Sequence, residues 1–389
     1  AYGNPILVRS MARMRPPLTV YGHSKQDGTP SPENPVPIVS AGDRGGINVT
    51  VQGGNLFNES GTPETTKNGI TVKWLQDEQC FLLNGTATGV GQHSRWNIGV
   101  PAVKGADYTI GVKYISGNVQ VPDGGYALAF FGESNELDQS TNWLEADLLN
   151  SDSEEVQECN ANYIARFWFY ITSGVVLNNY KCRVMLNAGS TALPYEPYKQ
   201  PQTLTLSTPG GLPGIPVSSG GNYTDENGQQ WVCNEIDLAR GKRVKRVKKA
   251  SNITWELASG YTAEGSELFK AISITDGKID GNPYINVALS SKLQNNYLVG
   301  GQNVSGFYQD GSTVYARIKD VSDQEEFNQL MSGAEILYQL ATPIETDLPA
   351  EEIAAYQALH TYSPATTVSN AAGAWIKLGY KTKKSLQRG

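Results

Sequence analysis

Three aromatic residues, Trp96, Tyr126 and Trp143, stand where a side chain could stack on a sugar ring. Trp96 has His93, Arg95 and Asn97 beside it, Tyr126 belongs to the same loop region as Trp143, and Trp143 lies within the acidic passage 138–158, which reads as a surface loop or a short helix. An aromatic face packs on sugar C–H groups, while nearby Asn, Asp, Gln or Arg side chains bond the hydroxyls. These three are the candidate carbohydrate-binding residues. Trp74 and Trp168 lie inside strand patterns and read as core.

Hydrolysis needs more than that. A glycosidase places two carboxylates roughly 5–10 Å apart in a groove. Glu133, Glu136, Asp138, Glu145 and Asp147 cluster in sequence near Trp143. An acidic loop is ordinarily just solvated, so no catalytic residue is expected. There is no G-x-S-x-G nucleophile elbow. The Gly-Gly pairs at 45, 53, 124, 210, 220 and 300 open no phosphate-cradling motif and read as tight turns. His occurs only at 23, 93 and 360, and Cys80, Cys159, Cys182 and Cys233 form no C-x-x-C pair. No zinc pattern or defined calcium spacing is present, and no cofactor is expected. The thiols are expected to be reduced and semi-buried, with a Cys80–Cys182 bridge as the alternative. The N-x-[ST] sequons at Asn48, Asn58, Asn84, Asn222, Asn252 and Asn303 matter only in a eukaryotic secretory setting.

Charge narrows the partners. The net charge of -7 argues against a general affinity for nucleic acid. No run approaches 18 apolar residues, so no membrane span is expected. The first residues lack a signal-peptide core and a Met, so the chain is expected to be processed or a piece of something longer. Two basic passages need a reading. Arg9, Arg13 and Arg15 alternate with apolar residues and are expected to meet acidic groups on a partner, with an RNA contact as the alternative. Residues 240–249 (RGKRVKRVKK) read as a strand whose cations are solvated or face acids. A polyanion-binding face and a localisation signal are the alternatives.

Short strands joined by many turns must position these groups, because Gly, Asn, Ser and Thr are abundant and Tyr (20) outnumbers Phe (9). The expected fold is mainly β: an antiparallel, jelly-roll-like β-sandwich, an extended N-terminal arm, and a second β-rich domain with one or two short helices. At 389 residues there is room for several cores. Residues 1–54, rich in Pro, read as an arm or a mobile linker. Residues 55–199 read as the sandwich, with strand candidates about a dozen residues apart. Its closing stretch, residues 163–198, has apolar side chains on both faces of its first strand. Ser173-Gly174 and Asn178-Asn179 look like turn material there. Residues 200–250 form a Pro/Gly-rich β connector, in which Asn227-Gly228 suits a type I′ hairpin.

Residues 251–345 make the second β-rich domain. Candidate strands fall at 271–274, 285–289, 297–299 and 313–318. A capping box at Ser322-Asp323-Gln324-Glu325 starts a helix whose apolar face is Phe327, Leu330 and Met331. Residues 346–389 hold a second helix near 350–359, with Glu351 and Glu352 at its positive end. Strands at 366–369 and 374–380 and a basic tail complete the chain.

Several segments carry a likeness. Residues 18–38 (LTVYGHSKQDGTPSPENPVPI) resemble the entry segment of tail and baseplate structural proteins of phages that infect Gram-positive gut bacteria. Residues 53–57 (GGNLF) open the sandwich in the same way. Residues 193–198 (LPYEPY) look like the exit of the carbohydrate-binding-module-like sandwiches in such proteins. Residues 233–241 (CNEIDLARG), 337–347 (LYQLATPIETD) and 359–362 (LHTY) resemble their linking and C-terminal segments. The resemblance implies a virion component made in the bacterial cytoplasm: a tail fibre, baseplate or receptor-binding protein. Such a protein is expected to be non-enzymatic and a homo-oligomer, trimer or hexamer, partnered by other tail proteins and by host surface glycans. A wall-polysaccharide-degrading tail enzyme and a bacterial carbohydrate-binding adhesin are the alternatives.

Overall fold

The computed structural model describes residues 6–9, 17–92, 96–133, 143–161, 163–263, 265–277, 288–296, 303–310, 312–362 and 365–379. The chain is mainly β, its ladders are antiparallel, and it divides into two compact units. The first comprises residues 1–15, 48–205 and 357–371; the second comprises 16–47, 206–356 and 372–389.

The first unit contains a β-sandwich with eleven strands among the described residues. In chain order they are β1 (Thr65–Lys67), β2 (Ile70–Leu75), β3 (Cys80–Thr86), β4 (Gly91–Gln92), β5 (Trp96–Pro101) and β6 (Asp107–Gln120). Then follow β7 (Ala127–Glu133), β8 (Trp143–Asp147), β9 (Ser153–Glu158), β10 (Tyr163–Ile171) and β11 (Val176–Ala188). One sheet runs β9-β6-β11-β3-β2-β1; the other runs β5-β10-β7-β8, with β4 also on β10. Alternation decides the faces. Ile110, Val112, Val184 and Leu186 of one sheet and Ala129, Phe131, Phe167 and Phe169 of the other fill a single core between them.

The long pair β6 and β11 is interrupted by a bulge, with register shifts around Ser116, Asn118, Leu177 and Tyr180. Asn178-Asn179 is therefore part of this strand and not a turn. Asn179 takes the left-handed conformation (φ 47°), and its carbonyl lies so close to Gly117 (φ 88°) that a Cβ there would sit 2.2 Å away. All four cysteines are buried free thiols, so the Cys80–Cys182 bridge does not form.

The GGNLF entry and the LPYEPY exit lie against each other. Gly54 N donates to Glu196 Oε1 at 2.5 Å. Asn55 Nδ2 donates to the Glu196 carbonyl at 3.1 Å and to Glu59 Oε2 at 3.3 Å. Glu59 Oε1 accepts from the Tyr195 hydroxyl at 2.9 Å and from Tyr198 N at 3.3 Å. Burial pushes the Glu59 carboxyl above its ordinary value, against the pull of these donors. Between the unfolded and folded values the folded chain holds more protons than the unfolded one. This contribution to stability is therefore complete below the unfolded value and is lost as pH rises through the folded value. Urea titrations across mildly acidic pH should show that slope in the native chain and lose it in Glu59→Gln.

A further sheet, of the strands Ile6–Arg9, Ala365–Asn370, Gly45–Gly53 and Gln202–Thr208, carries the chain ends of this region.

The second unit is built on a six-stranded sheet. Its order is Leu289–Ser290, Ile336–Asp347, Lys242–Ala250, Glu235–Asp237, Leu18–Tyr21 and Trp375–Leu378. Leu18–Tyr21 is thus an interior strand, with Val20 opposite both Ile236 and Ile376. Part of the extended attachment arm expected over residues 1–54 is thus paired within the chain itself. The same pairing corrects the serial division at 200–250, 251–345 and 346–389, since segments from both ends of the chain pair with the middle. Arg13, Arg15 and the basic tail lie outside the described residues, as do the expected strands at 285–287 and 297–299. Arg9 ends a strand whose side chains are not described.

Local corrections follow the same logic. The strand Ser266–Ala271 stops where 271–274 was expected to continue, and Ile272 is exposed. At the hairpin, only Gly228 of the Asn227-Gly228 pair has positive φ (83°). Its N–H donates to the Asp225 carbonyl at 3.0 Å, and Asp225 Oδ1 caps Asn227 N and Gln229 N, so the turn is not type I′. Helix α1 (Gln324–Leu330) is capped by Asp323 rather than Ser322: its carboxylate accepts from Glu325 N and Glu326 N, both at 2.9 Å. Phe327 and Met331 are buried as expected. In α2 (Ala350–Ala358), Glu352 is buried; it accepts from Ser207 N and pairs with Arg243 at 3.3 Å.

The basic strand Lys242–Ala250 faces acids. Arg240 pairs with Glu345, Lys242 with Asp347 and Arg246 with Glu235. Lys248 pairs with Asp276 and Lys249 with Glu335. With its cations neutralised in this way, the strand offers little net field to a polyanion.

Candidate functional site

The outward face of the second sandwich sheet gathers a row of aromatic rings. Along β10, Phe167, Phe169 and Ile171 point into the core, so Arg166, Trp168 and Tyr170 belong to the other face. On β7 the same argument puts Leu128 and Phe130 outward, and on β8 it puts Glu145 and Asp147 there. Ladder pairing sets Phe130 opposite both Trp168 and Glu145.

The rings form a row. Tyr126 stacks on Tyr170 (centroids 5.7 Å apart, planes 10°), and Tyr170 meets Phe130 at 5.9 Å. Phe130 stacks on Trp168 at 5.1 Å. Trp168 and Phe130 are buried, Tyr170 is half-buried, and Tyr126 is 39% exposed. The row therefore has a closed end and an open one. Thr172 holds the open end. Its N–H donates to the Tyr126 carbonyl at 3.0 Å, and its hydroxyl accepts from Tyr126 N at 2.8 Å. The phenol of Tyr126 is held above its ordinary value by desolvation, then by the hydrogen bond with Tyr170 and by the charge on Glu145.

Glu145 supplies polarity on the same sheet face, opposite Phe130. Its carboxyl is raised by partial burial first, then by Asp147 and Glu155. Glu145 and Asp147 share one strand face two residues apart, so their Cα atoms are about 7 Å apart. A partly desolvated carboxylate next to an exposed aromatic face is able to accept hydroxyl hydrogen bonds while the ring takes the C–H face of a sugar. Among the described residues, no three His, Cys, Asp or Glu side chains are placed to hold a metal ion. Nor is any helix there long and apolar enough to cross a membrane.

The three sequence candidates end in different places. Tyr126 is exposed, at the open end of the row. Trp96 is 6% exposed and belongs to the sandwich core, and this corrects its expected role. Its ring stacks on Phe167 (5.7 Å, 10°) and on Phe81 (5.9 Å, 27°), and its indole N–H donates to the Pro63 carbonyl at 3.1 Å. The ring is thereby packed into the core and its polar edge is occupied. Trp143 opens β8 opposite Gly132, but its side chain lies outside the described residues, as do His93, Arg95, Glu136, Asp138 and the side chain of Glu133. Tyr170 and Phe130 were missed as site residues. Strict alternation along β10 and β7 separates them from the core set, and that signal was present in the sequence.

The chain matches no protein-family model, no curated protein and no solved structure.

Proposed function

We propose that the chain is a structural component of a bacteriophage tail or baseplate, of fibre or receptor-binding type, whose sandwich binds host surface glycans through Tyr126. The observation that carries the glycan reading is the open end of the aromatic row, where an exposed phenol ring is backed by Tyr170 on a sheet face that also carries Glu145. The tail reading rests on the ordered likeness of the entry, exit and linking segments. The packing of Gly54 and Asn55 on Glu196 agrees with their reading as the entry and exit of one module.

A glycan array built from host wall polysaccharides tests the site. The native chain should bind a subset of the array, and Tyr126→Ala should lower that binding about five- to tenfold, as expected for losing one stacked ring worth roughly 1–1.5 kcal/mol. Equal binding by the two proteins would remove the site. Antibody labelling of assembled particles should place the chain on the tail, and its absence there would remove the tail reading.

The Glu145–Asp147 spacing favours one second reading, a tail glycosidase. New reducing ends from host polysaccharide, lost in Glu145→Gln, would establish it.

A further inference from the structure

The opposite face of the sandwich, on the six-stranded sheet, carries a groove of about 530 Å³. Its floor is Gly111, which lies between Glu154 on β9 and Met185 on β11 in the ladder. A Cβ at Gly111 would meet no atom within 4 Å, so the missing side chain is what leaves the floor open. The wall is the segment after β11, including Leu193 and Tyr195.

Two charges in this groove have no ionic partner among the described residues. Arg183 is fixed by hydrogen bonds from Nε to the Gln79 carbonyl and from Nη2 to the Glu78 carbonyl, both 3.0 Å, and its guanidinium lies 5.0 Å over the Tyr195 ring. Carbonyls orient it without cancelling its charge. Glu154 is exposed at the edge strand. The other pair in the groove, Lys113 and Asp152, neutralise one another. A fixed cation and a free carboxylate thus stand diagonally across an apolar strip of Met185 and Leu193. Two strand spacings and two residues of rise separate their Cα atoms by about 12 Å.

We propose that this groove binds a short peptide with free termini, its carboxylate at Arg183 and its ammonium at Glu154. Three extended residues span roughly 10 Å, of the order of that separation. The apolar strip suits small aliphatic side chains. The Tyr195 ring carries Arg183 on one face, which favours a peptide here over a stacked sugar. This site is separate from Tyr126 and does not rest on the glycan reading.

Calorimetric titration of the full chain with tri-alanine, N-acetyl-tri-alanine and tri-alanine amide tests it. Free tri-alanine should bind saturably, and blocking either terminus should weaken binding at least about tenfold, the loss of one charge-assisted contact. Gly111→Leu should abolish binding, and Tyr126→Ala should leave it unchanged. Glu154→Gln should weaken free tri-alanine but not the acetylated peptide; it alters one exposed carboxylate and decides the matter if Gly111→Leu fails to fold. No saturable binding of tri-alanine, or equal binding of the capped and free peptides, would overturn the proposal.

Discussion

Phe167→Ala is expected to destabilise the sandwich by about 3–5 kcal/mol, the range for deleting a large buried ring. Phe167 is fully buried, and its ring lies 4.3 Å from Phe57, 4.7 Å from Phe131 and 5.2 Å from Phe169, centroid to centroid. Trp96 stacks on it at 5.7 Å. These rings come from three strands of the second sheet and from the GGNLF entry, and Phe81 of the facing sheet lies 6.0 Å away, so no single element can move to fill the hole. The cavity should persist, and the loss should exceed the transfer free energy of the benzyl group. Urea unfolding followed by circular dichroism should show a lower midpoint. With two compact units the transition need not be two-state, so the shift should appear in one component and leave the other in place. Phe167→Leu, which keeps most of the volume, should lose less than half as much. A shift below about 1 kcal/mol in Phe167→Ala would contradict this packing.

Asn55→Ala should have the second-largest effect, about 3 kcal/mol, from stranding buried partners that each cost roughly 1–3 kcal/mol when unsatisfied. The side chain is fully buried. Its oxygen accepts from Phe57 N at 3.0 Å and Leu186 N at 3.4 Å, while its nitrogen donates to the Glu196 carbonyl and to Glu59. Two N–H donors on one side and two oxygen acceptors on the other fix the orientation of the amide. Asn55→Asp makes the sharper test. It keeps the acceptor, removes both donors and sets a second carboxylate against buried Glu59. Its loss should therefore be larger at pH 7 than at pH 4, where protonation relieves the repulsion. An Asn55→Asp chain as stable as the native one at pH 7 would show that the two donated bonds contribute nothing.

The sandwich strands were legible because period-2 alternation directly reports which side chains share a face. Ile110/Val112 and Phe167/Phe169 alternate as strands do, and the core uses them that way. Helix α1 was legible to within one residue. Ser322 and Asp323 are both good caps, and only the backbone geometry at Asp323, extended just before the first turn, selects between them. The basic strand was readable as solvated or acid-facing, since a run with cations on both faces must meet either water or carboxylates. Which carboxylates, from Glu235 to Glu345, was set by strand pairing.

By itself the sequence determined a β-rich chain of antiparallel strands, but it read the passage around Trp143 as a loop or short helix where the chain forms the strands β8 and β9. Only the tertiary structure decided that Leu18–Tyr21 is an interior strand, that Trp96 is core, and that Tyr126 stands open. The reason is physical. Alternation is a local property written in neighbouring residues, whereas a strand's partner can lie hundreds of positions away, as Val20 and Ile376 do. A tryptophan's exposure likewise depends on what the far sheet brings against it. Trp96 meets Phe81 and Phe167, and Tyr126 meets only Tyr170 among the ring contacts described.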